Sequence, residues 1–92
     1  MLTIIDIIEI KPEYQTGKEP GIVLVCRNNS SEQLLPGALI KLSAKAGETL
    51  KELVVKEVKD HGDSAISLYF PGVMKSDIPK AYEKISWANK RA

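Results

Sequence analysis

Apolar residues along this chain come in short runs, and turn-forming clusters separate them. The first run, residues 2–10, is dominated by isoleucine, whose β-branch suits a pleated strand better than a helix. Leu2, Ile4, Ile8 and Ile10 share one alternation set, while Ile5 and Ile7 fall on the other. That pattern predicts a strand covered on both faces for part of its length. Residues 11–21 carry Pro12, Gly17, Pro20 and Gly21 and read as a loop. Ile22 to Arg27 is a second strand with apolar residues on both faces, followed by the polar turn cluster Asn28 to Glu32. Pro36-Gly37 then makes a turn, because proline presets φ at the first central position and glycine accepts positive φ at the second. Ala38 to Leu42 is the third strand.

Two segments admit two readings each. Thr49 and Glu52 match a capping box, and Leu50, Leu53, Val54 and Val58 have helical spacing, so local signals favour a helix slightly, yet Val54-Val55 and Val58 also suit a strand. Turn-rich β segments on both sides favour the strand over residues 49–59. Asp60 to Asp63 reads as a hairpin turn, and Ala65 to Phe70 as the next strand, broken sharply at Pro71-Gly72. In the tail, Pro79 opens a short C-terminal helix with Tyr82, Ile85 and Ala88 on one face, or Lys84 to Trp87 forms a closing strand. The expected fold is all-β: a small single-domain antiparallel β-barrel of roughly six strands over residues 1–92.

Composition narrows the function classes. At 92 residues, 43% hydrophobic and 27% charged, the chain reads as one globular domain, and a net charge of +1 supplies no strong field for nucleic acid or anionic lipid. Its one cysteine, Cys26, excludes an internal disulfide, fits a reducing compartment and sits in an apolar run as a small buried hydrophobe. The isoleucine-rich start is interrupted by Asp6 and Glu9 and has no basic region before it, so neither a signal peptide nor a membrane span is expected. Asn28 and Asn29 each begin a glycosylation pattern but read as turn residues, and the chain is expected to be cytoplasmic.

The chemistry of catalysis is mostly missing. No GxxxxGK[ST], GxSxG, CxxC or HExxH pattern occurs, and His61 between Asp60 and Asp63 reads as a solvated turn. No enzyme, cofactor or metal is expected. The final third has a basic bias interleaved with aromatics: Lys75, Lys80, Tyr82, Lys84, Trp87, Lys90 and Arg91 are the candidate binding residues. Lysines can grip a phosphate backbone while aromatic rings stack bases. The competing reading has Tyr82 and Trp87 closing the barrel's open end while the lysines keep it soluble. Tyr69-Phe70 ends a strand, and alternation places one ring inward and one outward.

Two stretches carry a resemblance. Leu68-Tyr69-Phe70-Pro71-Gly72, then Lys75-Ser76-Asp77-Ile78 and Lys80-Ala81, follow a pattern of strand, glycine, short charged connection and isoleucine before a last strand. Ile22 to Cys26, the turn Asn28 to Glu32, Gly37 and Ala38 to Leu42 follow a second, and Asp6 to Ile10 an opening strand. Together they resemble the second-domain β-barrel of translational GTPases, of the elongation factor Tu kind, without the GTPase domain. The resemblance implies a non-catalytic binding or adaptor module contacting RNA, the ribosome or a translation-linked assembly. Pro71 stands where members carry a basic residue, Ala81 where they carry a glycine, and Arg27 where a small residue is common. The first departure removes a position expected to support binding of charged tRNA. The alternative is a protein–protein interaction or dimerisation module unrelated to translation; an enzyme completed only on oligomerisation is a third.

Overall fold

The computed structural model describes residues 2–11 and 17–90, which form seven strands. These are β1 (Leu2–Ile10), β2 (Gly21–Asn28), β3 (Leu39–Ser43), β4 (Thr49–Val54), β5 (Glu57–Gly62), β6 (Ala65–Pro71) and β7 (Lys84–Ala88). A 3-10 turn, Lys75–Asp77, lies between β6 and β7. Every pairing is antiparallel: β1-β2-β6-β5 make a four-stranded sheet and β4-β3-β7 a three-stranded one. The all-β antiparallel expectation holds. The tail's alternatives resolve to a strand, β7, with no C-terminal helix among the described residues. Residues 12–16 of the expected loop, and Arg91, lie outside the described residues.

The count rises from roughly six to seven because residues 49–59 split at a corner. Val55 belongs to the smaller sheet, donating its N–H to Ala38 at 2.9 Å and accepting from Gly37 at 2.7 Å. The next N–H, that of Lys56, goes to the Tyr69 carbonyl in the other sheet at 3.0 Å. Helical spacing would have buried Leu50, Leu53, Val54 and Val58 together; instead Leu53 and Val55 are buried and Val54 is 62% exposed. Packing partners, not local propensity, made the choice.

β1 corrects a second expectation. Its register against β2 slips between Ile4 and Asp6, leaving Ile5 as the extra residue of a β-bulge. Ile4 lies opposite buried Cys26, and after the bulge Ile7 lies opposite buried Leu24. The bulge, not cover on both faces, is why apolar residues occupy both alternation sets: Ile5 and Ile8 remain 54% and 48% exposed. The β5–β6 turn also moves. β5 continues through His61 to Gly62, and the turn falls on Asp63 and Ser64, both left-handed with φ of 50° and 66°.

The core fills the space between the sheets. Ile22, Leu24 and Cys26 from β2, Ile40 and Leu42 from β3, and Ile66, Leu68 and Phe70 from β6 all point inward, and Leu34 and Ile78 close it from loops. Each such side chain contributes roughly 1.5–3 kcal/mol through burial. Burial pushes the Cys26 thiol up to about 12. Phe70 takes the inward place of the aromatic pair. Tyr69 faces outward yet is buried, because the chain before β2 lies over it: its hydroxyl donates to the Glu19 carbonyl, and the Lys18 ammonium sits 4.8 Å from the ring centroid. Burial raises the Tyr69 phenol above its ordinary range, with the Glu19 carboxylate adding to the effect. No helix among the described residues is long and apolar enough to cross a membrane.

Candidate binding groove

Among the described residues β1 pairs only with β2, and β7 only with β3. The two strands approach each other without a ladder between them, so the barrel has a seam there. At the end of the seam past Ile7 the walls part into a groove of about 800 Å³. Ile7 and Glu9 of β1 form one bank, and the connection from Met74 to Tyr82 forms the other.

Local chemistry fixes that far bank. The Asp77 carboxylate accepts the Met74 N–H at 2.9 Å while the Asp77 N–H donates to the Met74 carbonyl at 2.9 Å, which locks the 3-10 turn. Buried Ile78 anchors the turn to the core, and Pro79 redirects the chain, with the Tyr82 N–H reaching back to its carbonyl at 3.4 Å. Lys75 and Lys80 are consequently held on the rim and Tyr82 half-buried at the wall, while Met74 stands 64% exposed. With Asp77 engaged in the turn, the charged side chains lining the groove among the described residues are Glu9, Lys75 and Lys80. An apolar cleft of this size with few charged groups suits a ligand segment held by shape and oriented by polar contacts.

Three of the seven candidate residues, Lys75, Lys80 and Tyr82, thus meet in one place. The others do not. Lys84 is exposed at the start of β7, opposite Ser43. Trp87 lies opposite buried Ile40 and packs half-buried against the core. Lys90 lies beyond β7 with its stem over Gly37. Arg91 is outside the described residues. The described members of the basic-aromatic set are dispersed instead of forming one stripe.

Sequence reasoning missed Ile7 and Glu9. Glu9 lies opposite buried Ile22, so by register it belongs to the inward set at the strand's end, a place that only the bulge assigns to it. It also missed Asn89, which clasps the β2–β3 connection to the end of β7. Its amide donates to the Gln33 carbonyl at 2.8 Å and the Glu32 carboxylate at 3.1 Å, and accepts the Leu35 N–H at 2.9 Å. His61 is hydrogen-bonded, its Nε2 2.6 Å from Ser67 Oγ, but the pair is exposed and does not line the groove. No group of three His, Cys, Asp or Glu side chains is placed to hold a metal among the described residues.

Comparison with family models, with curated proteins and with solved structures gave no match.

Proposed function

We propose that this chain is a non-catalytic binding module that holds a segment of a protein partner in the groove between β1 and the β6–β7 connection. One observation carries the reading: the barrel's unpaired seam opens into an apolar cleft rimmed by two lysines. The strand-and-turn likeness to the second domain of translational GTPases suggests a translation-linked assembly as the setting. The free, buried Cys26 suits a reducing, cytoplasmic one. A second reading, contact with RNA, draws on the meeting of Lys75 and Lys80 with the Tyr82 ring. Two cations facing a carboxylate release few counterions, so any such contact would be weak and shallow in its salt dependence.

Photo-crosslinking tests both readings. Benzoylphenylalanine replacing Met74 faces the groove; the same group replacing Lys59 sits on the exposed surface of β5. In host lysate the Met74 position is expected to yield a defined adduct that the Lys59 position lacks and that Lys75→Glu with Lys80→Glu removes. A protease-sensitive adduct supports the protein reading and a nuclease-sensitive one the RNA reading. Equal labelling from both positions would rule out the groove as the binding site.

A further inference from the structure

The edge of β1 away from β2, unpaired among the described residues, supplies what a groove alone does not, a template for pairing. The Ile7 N–H is taken by the neighbouring Asp6 carboxylate at 2.8 Å, so it is not a rung toward β2 and looks away from that strand. In an antiparallel strand, alternate residues present N–H and C=O to the same edge, which puts the Glu9 backbone on the free edge with Ile7. Both residues also line the groove. Edge donors and acceptors, an apolar cleft beside them and cations on the opposite rim thus occur together.

We propose that an extended peptide bearing acidic side chains adds as a strand to the free edge of β1 at Ile7 and Glu9, with its carboxylates facing Lys75 and Lys80. The inference rests on the binding-module reading above and names the kind of segment bound. Main-chain pairing supplies affinity in such additions, and pockets for alternate side chains supply selectivity. Ile7, Met74, Ile78 and Tyr82 offer the apolar surface and the two lysines the preference for acid. A nucleic acid has no use for the edge N–H and C=O groups of Ile7 and Glu9. Asp6 acts as a guard that occupies the edge N–H until a peptide carbonyl replaces it. Charged side chains that blunt an edge are a common device against unwanted pairing.

The test titrates isotope-labelled protein with a short blocked peptide of alternating valine and aspartate, and with its counterpart carrying lysine for aspartate. The aspartate peptide is expected to move the amide signals of Ile7 to Ile10 and of Ile78 to Tyr82, and to bind about ten-fold tighter than the lysine peptide, as two rim charge pairs allow. Asp6→Ala is expected to tighten binding several-fold, and Lys75→Glu with Lys80→Glu to reverse the preference between peptides. The two peptides compared on the wild-type chain decide the matter even if a variant fails to fold. The proposal is overturned if both peptides bind alike, if neither moves these signals at millimolar concentration, or if the shifts fall on β4 or β5. It is also overturned if a short single-stranded RNA binds the same residues more tightly, or if those signals already move with protein concentration alone, which would make a second copy the occupant. A Met74 adduct with no peptide response would sink strand addition and leave the groove reading standing.

Discussion

Gly21 has no room for a side chain. A Cβ there would lie 2.2 Å from the Phe70 carbonyl oxygen and 2.8 Å from Pro71 Cα, both backbone atoms that cannot swing aside. Gly21→Ala must therefore pry apart the β2–β6 ladder at its end, at a cost of about 2–3 kcal/mol, read as a lowered urea midpoint. Cys26 makes a pH prediction. Below about 9 the thiol is protonated in both folded and unfolded chains; from there up to about 12 only the unfolded chain releases the proton. Stability should thus fall with rising pH through that window, at up to ~1.4 kcal/mol per unit from this group. Cys26→Ala, although less stable near neutrality, should show a shallower alkaline decline in urea midpoints. Cys26 was legible as a buried hydrophobe because residues 22–25 just before it are apolar. The tight approach at Gly21 was not, because it depends on Phe70, far away in the chain.

At the scale of elements, strand positions were largely legible and strand partners were not. Ile22 to Arg27, Ala38 to Leu42 and Ala65 to Phe70 lie within a residue or two of β2, β3 and β6, since alternation and turn residues are local signals. The split of residues 49–59 was invisible because Val55 and Lys56 differ in the strands they meet, not in their own propensities. β1 shows the same limit: seven of its nine residues are apolar or β-branched, so nothing local marks where the register slips. The bulge gives a sharp test. Deleting Ile5 joins Ile4 to Asp6 in the register they already hold, so the variant should keep the wild-type fold by circular dichroism and amide spectra. Deleting Ile8 has no such escape, because it throws Glu9 and Ile10 out of phase with Ile22 and Gly21. That variant should lose about 2 kcal/mol or more, as expected for a disrupted buried face. Three of the seven far-bank lining residues, Lys75, Lys80 and Tyr82, were legible from their charge and aromatic character; the near bank was hidden behind the bulge.

For the whole molecule, the edges decide what can associate. The free edge of β4 is guarded against its own copy. Two-fold pairing that keeps each face of the sheet intact sets Glu52 opposite Glu52 or Lys51 opposite Lys51 in the registers that use most of the strand. Like charges directly opposite are destabilising. Replacing both Lys51 and Glu52 by threonine should raise self-association above that of the wild type in sedimentation velocity, with Val54 and Leu39 supplying apolar surface beside the new contact. Self-pairing through the β4 edge is thus opposed by the strand's own charges.

The corner at Val55 and Lys56 has a consequence for how the molecule comes apart. Consecutive peptide units are committed to different sheets, one through Ala38 and the other through Tyr69. Neither sheet can open along that border without pulling on a rung of the other. Local fluctuations should stop there and grow only into complete unfolding, so the slowest-exchanging amides of β3 and β6 should share one opening free energy. Opposite the β1–β7 seam, the step from Val55 to Lys56 thus ties the two sheets into one cooperative unit.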